Sequence, residues 1–444
     1  MLTILGVSMV TIFTFLIMTK KMSPIVALTL IPIIFAIIGG FASDIGPMML
    51  EGIKLVAPSA ALLLFAILFF GVMIDAGLFD PLIAKILQIV KRDPVRIAVG
   101  TAVLSLMVAL DGDGTTTYMI VVSAMLPLYK RIGMNPLIMA TIAMLSLSVM
   151  SGMTPWGGPA TRVIAVLGLD ASEFFVPLIP TMMGGALWVI FAAYILGKRE
   201  RKRIGSINLE YSNNVDAIAQ SETAATLEET ITEEENDIKR PKLLWINLLI
   251  VLLIMTTLIL NLLPAPVLFL IGFIFALLIN YPDLEKQKER MLAHSGNALI
   301  VVILVFAAGV FAGILSGTKM VDAMANTLVS IIPESLGAFF PLIVAITSMP
   351  FTFVLSNDAY YFGVLPILAE AASAYGIDPI EIARASILGQ PIHLMSPLVA
   401  STILLVGMIG KDIGDHQRFA LKWAILSSLI LTALAILTGA ISFM

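Results

Sequence analysis

The sequence predicts an all-α polytopic membrane protein made of two inverted repeats, each comprising three spans, a re-entrant hairpin, a broken helix and a final span. Three observations predict this. Hydrophobic residues form 59% of the 444-residue chain and charged residues only 13%, with a mean hydropathy of +1.02, whereas soluble domains carry about 25% charged residues. Polar interruptions rich in Gly, Pro, Ser, Thr and Asp recur at corresponding places in two apolar halves. A polar, acidic tract separates those halves.

Hydropathy places the first three spans near residues 2–18, 23–40 and 56–79. Lys20 and Lys21 follow the apolar N-terminus. A cleaved leader would put its charges first and end in small residues, so this stretch reads as the first span. A hairpin follows at about 97–128, centred on Ala109-Leu110-Asp111-Gly112-Asp113-Gly114-Thr115-Thr116-Thr117. Its apolar flanks are together too short for two full spans of about 20 residues each and too long for one. The economical solution is a re-entrant hairpin with its tip deep in the protein. Irregular backbone at that depth survives only when buried in protein or lining a water-filled cavity. A broken apolar segment, 136–167, is interrupted at 151–159, and a span near 174–196 closes the first repeat, 1–197.

Composition then shifts. The basic run Lys198-Arg199-Glu200-Arg201-Lys202-Arg203 leads into an acidic tract containing Glu228, Glu229, Glu233, Glu234, Glu235 and Asp237. Such a tract cannot bury a core, so 198–242 is expected to be a flexible cytoplasmic linker. The second repeat, 243–444, follows the same plan. Spans fall near 243–263, 265–279 and 299–315, and a hairpin at 336–372 has Leu355-Ser356-Asn357-Asp358 at its middle. A segment at 379–409 is broken at 389–397, and the last span is near 419–441.

Positive charge should collect on the cytoplasmic side. Lys20/Lys21, Lys85/Lys91/Arg92, Lys130/Arg131 and Lys198 to Arg203 then share one side, together with Lys286/Lys288/Arg290 and Lys411/Arg418. Both termini come out external in the cell's inner (plasma) membrane. The first half begins outside and the second inside, an inverted repeat of the kind secondary transporters use, with substrate sites at the midplane breaks.

The chemistry concentrates at the breaks. Gly112, Gly114, Gly157 and Gly158 permit close backbone approach. Pro155, Pro159, Pro391 and Pro397 interrupt helices. Half-helix N-termini attract anions, while freed carbonyls and the hydroxyl or amide groups of Thr115, Thr116, Thr117, Thr154, Ser356, Asn357, Gln390 and Ser396 suit cations. Asp111 and Asp113 lie within one turn and cannot both ionise cheaply at low dielectric. They can carry a proton or hold a hard divalent cation through oxygen ligands. A plain Asp-Gly turn is the competing reading. Asp358 could act likewise, or cap a helix. His393 could bind a carboxylate or relay protons, or simply hydrogen-bond within the packing. Arg162 could pair with an anionic substrate, serve as partner to an acidic residue, or snorkel to an interface. Trp156 reads as packing, and Glu51 and Lys54 as interfacial.

The chain has no cysteine, hence no disulfide or thiolate metal site. It has no Gly-x-x-x-x-Gly-Lys-Ser/Thr phosphate loop and no nucleophile–base pair, so an enzyme or ATP-driven pump is not expected and no cofactor is required.

The run Leu110-Asp111-Gly112-Asp113-Gly114-Thr115-Thr116-Thr117-Tyr118-Met119-Ile120 resembles the bacterial citrate–divalent metal–proton symporter (CitMHS) family of the ion transporter superfamily. Supporting runs are Gly71-Val72-Met73-Ile74-Asp75-Ala76-Gly77-Leu78-Phe79-Asp80-Pro81, Thr154-Pro155-Trp156-Gly157-Gly158-Pro159 and Leu355-Ser356-Asn357-Asp358. The resemblance covers nearly the whole chain. It implies proton-coupled import of citrate complexed with a divalent metal (Mg, Mn, Ca or similar) by a homodimer with a scaffold part and a moving part. Sodium-coupled relatives carry Ser-Asn-Thr tips. Here Asp358 follows Ser356-Asn357 and the first tip is Asp-Gly-Asp-Gly, which favours protons or the metal complex over sodium. Two alternatives stand beside this reading: a proton-coupled carrier of free organic acids such as gluconate or dicarboxylates, and a cation/proton antiporter or channel.

Overall fold

A computed structural model describes residues 1–90, 93–204 and 238–442. The described residues are helical throughout, without strands. Eight helices among them are long and apolar enough to cross a membrane, and shorter apolar helices include Leu2–Met18, Pro24–Ile38 and Ala265–Asn280.

The order of elements runs twice. In the first half α1 (Leu2–Met18), α2 (Pro24–Ile38) and the long α3 (Ile45–Asp75) are followed by the amphipathic α4 (Asp80–Val90). Then come α5 (Pro94–Val108) and α6 (Gly114–Arg131) around the first tip, α7 (Pro136–Met153) and α8 (Gly158–Leu167) around the first break, a short α9 (Ala171–Phe175), and α10 (Ile179–Ile204). The second half answers with α11 (Leu244–Ile259), α12 (Ala265–Asn280), the long α13 (Leu284–Gly317) and α14 (Met320–Ile331). Around the second tip lie α15 (Phe340–Val354) and α16 (Leu365–Ser373). The segment α17 (Pro379–Ser386), α18 (Gln390–His393) and α19 (Ala400–Met408) holds the second break, and α20 (Ile413–Leu437) ends the fold.

Local sequence explains many of the starts. Asp93-Pro94, Asn135-Pro136 and Asp378-Pro379 each place an Asx side chain at the N-cap, accepting from the backbone two residues on, with proline in the first helical turn. α3 and α13 start earlier than hydropathy indicates, at Ile45 and Leu284 rather than near 56 and 299. Their N-terminal stretches carry charged residues (Glu51 and Lys54 in α3, Glu285 to Arg290 in α13) that a hydropathy window rejects, although the backbone is already helical. The second break opens at Leu394 rather than at Gly389, because Pro391 sits in the first turn of α18, where proline's missing N–H costs nothing. The helices α4 and α14, at 11 and 12 residues too short to span, are additions to the expected plan.

Packing is densest between α3 and α13, and it is reciprocal: α12 lies on α3, as α2 lies on α13. The contact is backbone to backbone. A Cβ on Gly52 would fall 1.9 Å from the carbonyl oxygen of Gly309, and one on Gly313 would fall 2.2 Å from that of Met48. Around the hairpins, α5 packs on α10 and α7, and α10 on α20. Of the 18-residue apolar window within α7–α8, 94% is buried inside the protein, against 17% for that of the span containing α11. The broken segment therefore lies at the centre and α11 faces lipid, with Leu252 and Leu253 exposed outward. The buried Arg384 ties the halves at one end, donating to the carbonyls of Phe174, Glu173 and Ala440.

Candidate functional site

The first tip leaves α5 through a single tight turn, Ala109–Asp111, and reverses at Gly112, whose φ of +87° is left-handed backbone that suits glycine. Asp111 is buried, and its Oδ1 accepts from the backbone N–H of Asp113 at 2.9 Å and from the Thr117 hydroxyl at 3.5 Å. Asp113 is exposed and caps α6, accepting at 2.7 Å from both the N–H and the hydroxyl of Thr116. The two carboxylates thus differ: one faces the protein, the other stands at the surface of the tip. Gly114 and Thr115 form the first turn of α6 beside Thr116.

This tip rests on the first break. Ser151 Oγ donates to Gly112 O at 2.8 Å, and Trp156 Nε1 donates to Leu110 O at 2.7 Å. The Trp156 ring packs against Phe70 and Phe269, with centroids 5.4 and 5.0 Å away, which fixes the break to α3 and α12. A Cβ on Gly157 would sit 1.7 Å from Ser151 O, so the chain folds back tightly enough to admit glycine alone. Thr154 Oγ1 is buried there without a partner among the described residues. The carbonyls of Pro155 and Gly157 accept from Thr161, and that of Gly158 accepts from Arg162.

The second tip has a different chemistry. Ser356 Oγ accepts from the N–H of Ala359 and so caps the next element, a π-helical turn over Ala359–Val364, a geometry that often marks functional sites. Asp358, the alternative cap, instead receives the guanidinium of Arg162, with Nε 2.7 Å from Oδ1. Gln390 Nε2 donates to Asn357 Oδ1 at 3.3 Å and to the Tyr361 hydroxyl at 2.6 Å. His393 Nδ1 lies 2.6 Å from the Thr352 carbonyl, which can only accept, so the proton sits on Nδ1. Ser396 Oγ accepts from Leu398 N–H within the second break.

The breaks also meet each other. α7 packs on α18 and α6 on α19. A Cβ on Gly152 would lie 3.5 Å from that of Gln390, and one on Gly114 would lie 3.0 Å from Ser401 Oγ. Each tip therefore lies on a break, and each break touches the opposite half. Tyr361 and Ser401 join this set without having drawn notice in the sequence. The phenol of Tyr361 follows the conspicuous Ser-Asn-Asp run by three residues, a signal that was available; Ser401 had none. Among the described residues no group of three or more His, Cys, Asp or Glu converges.

A family model described as "Citrate transporter" (CitMHS) matches residues 7–389. The chain belongs to the CitMHS citrate transporter family. It is similar over its full length to three proteins of Bacillus subtilis (strain 168). An uncharacterized transporter, YraO, is 68% identical with 100% of both chains covered. A citrate transporter is 58% identical, again with 100% of both covered. A Mg(2+)/citrate complex secondary transporter is 54% identical, covering 100% of this chain and 99% of its own. The fold also resembles the crystal structure of the Alcanivorax borkumensis YdaH transporter, with a TM-score of 0.56, 14% identity and 90% of each chain covered. This member of the CitMHS family is a multi-pass membrane transporter and not an enzyme.

Proposed function

We propose that the protein imports citrate complexed with a divalent metal ion, in symport with protons. One observation carries the metal complex in particular. The four polar interruptions contain hydroxyls, amides, carbonyls and aspartates but no lysine or arginine, and Arg162, three residues after the first break, is already paired with Asp358. A free tricarboxylate would meet little positive charge there. A metal–citrate complex, with most of its charge neutralised, suits such a lining. The 54%-identical relative described as a Mg(2+)/citrate complex transporter supports the same reading. The metal travels as cargo, with Mg, Mn and Ca all suited to oxygen ligands, and Asp111 or Asp113 meets it directly or through the complex.

In this reading 1–197 and 243–444 are two inverted membrane repeats in the plasma membrane, joined by a cytoplasmic linker at 198–242. Both termini are external, and the working unit is a homodimer. The site comprises Asp111, Gly112, Asp113, Gly114, Thr115, Thr116, Thr154, Pro155, Gly157, Gly158, Ser356, Asn357, Asp358, Gln390, His393 and Ser396, with Arg162 as carboxylate partner. Labelled citrate uptake into proteoliposomes under an inward proton gradient, without sodium, tests it. Uptake that requires Mg, Mn or Ca and collapses with a protonophore is expected. Uptake indifferent to chelator would replace this reading with free organic-acid transport.

A further inference from the structure

No lysine or arginine lies within the four polar interruptions, and Arg162, three residues past the first break, is engaged. Its Nε donates to Asp358 Oδ1 at 2.7 Å and its Nη1 to Gly158 O at 2.8 Å, while Nη2 makes no hydrogen bond among the described residues. The side chains of Arg162 and Asp358 are only 22% and 14% exposed. The pair joins α8 of the first half to the tip of the second, 196 residues away.

A substrate carboxylate and the Asp358 carboxylate present the same oxygens to the same guanidinium fork. They compete for it. Ionised, Asp358 occupies Arg162 and neutralises it. Protonated, it loses its charge and most of its hold. We propose that Asp358 carries the transported proton, and that protonating it releases Arg162 to bind a carboxylate of the citrate complex. The proposal rests on the citrate reading above. In the step itself, hydronium in the outer solution gives a proton to an Asp358 carboxylate oxygen: one O–H bond of hydronium breaks, leaving water, and one carboxyl O–H bond forms. On the inner side that proton passes to cytoplasmic water as the citrate complex leaves, and the ion pair re-forms.

Two states of this locus are then electrically balanced: Arg162 with ionised Asp358 and no substrate, and Arg162 with a substrate carboxylate and protonated Asp358. Substrate without proton leaves an extra negative charge, and proton without substrate leaves an unpaired guanidinium. Either is costly for a partly buried group. A carrier that moves only in balanced states takes both or neither, which is symport. No other acid competes at close range. The titratable or charged groups around Asp358 are Arg162 from α8, His393 from α18, which lies within electrostatic range of both, and the buried phenols of Tyr360 and Tyr361 on its own turn. α1, which also packs on that turn, carries no charged side chain; α13 carries its charges only within residues 284–294; and α16 carries one, the exposed Glu370.

The test is the pH dependence of Mg–citrate binding to purified full-length protein over roughly pH 7 to 8.5, where citrate's carboxyl groups are almost wholly ionised. In the wild type, affinity is expected to fall by up to about tenfold per pH unit, as an obligatory proton requires by linkage. Asp358→Asn is expected to bind with no such slope. In liposomes it should retain citrate exchange but lose proton-driven accumulation. An Asp358→Asn protein with the wild-type slope and full accumulation would overturn the proposal. Should the single variant fail to fold because Arg162 is left unpaired, the neutral pair Arg162→Gln/Asp358→Asn replaces it. That pair is expected to bind no Mg–citrate at any pH, and wild-type binding by it would overturn the proposal. A wild type that binds and exchanges citrate equally well without any metal would sink the metal-complex reading, yet leave the Asp358 slope to be judged on free citrate.

Discussion

At the residue scale the two aspartates of the first tip have separate duties. Asp113 is an exposed N-cap, and asparagine caps a helix about as well as aspartate. Asp113→Asn is therefore expected to keep the protein folded and monodisperse in detergent. Citrate uptake should fall at least about tenfold, equivalent to raising the translocation barrier by about 1.4 kcal/mol. Wild-type uptake by that variant would move the site off this tip. Asp93 offers a different test, away from the site. Burial raises its carboxyl, but hydrogen bonds from Arg201 and from Val95 N–H, with the charges of Arg201 and Arg96, outweigh burial and hold it below the usual carboxylate range. A depressed folded value stabilises above the unfolded value, near 3.9, and that stability disappears as pH falls through the folded value. Thermal unfolding scans below about pH 4 should therefore lose a small increment, small because the pair is exposed, and Asp93→Asn should flatten that acid limb. Asp111, Asp113 and Asp358 were all legible in the sequence as polar residues in apolar surroundings. The Arg162–Asp358 pairing was legible only in outline, as a cation wanting an acid. Nothing in the spacing of two residues 196 positions apart says which acid.

At the element scale, hydropathy and the Gly/Pro interruptions placed both hairpins and both breaks within a few residues of their observed positions. The errors share one cause. A span-length hydropathy window reports only long apolar stretches, so it shortened α3 and α13 where they leave the apolar zone and passed over α4 and α14, which are too short to fill it. It was also silent on the α3–α13 seam, although Gly309, Gly313 and Gly317 recur every four residues in α13, a small-residue spacing that lets apolar helices approach closely. The seam yields a prediction. Gly313→Leu must push α13 off Met48 and Gly52, at a cost typical of overpacking, about 1–3 kcal/mol or more. Its thermal midpoint in detergent is expected to drop by several degrees. An unchanged midpoint would mean that the seam does not hold the halves together.

At the scale of the whole molecule, the chain carries its own labelling background, since it contains no cysteine. Single cysteines at Ser221, in the linker, and at Thr438, just after α20, report sidedness directly. With an impermeant thiol reagent on intact cells, Thr438→Cys should react and Ser221→Cys should react only after lysis. The reverse pattern would invert the topology, and with it the direction in which each hairpin enters. The positive-inside argument expects this arrangement from charge counts alone; a homodimer, by contrast, would leave no comparable trace in one chain's residues.

The bonds from Ser151 to Gly112 O and from Trp156 to Leu110 O have a consequence for how cargo changes sides. A hairpin that swung open like a door would give up both, each worth about 1 kcal/mol net, while the Trp156 indole stayed behind with the break. The wall and the floor of the compartment are stapled together. First tip and broken segment are then expected to travel together, and any slide of the pair past α3 and α12 has to drag the Trp156 ring across Phe70 and Phe269, so the grip on one indole would help set the pace of traffic.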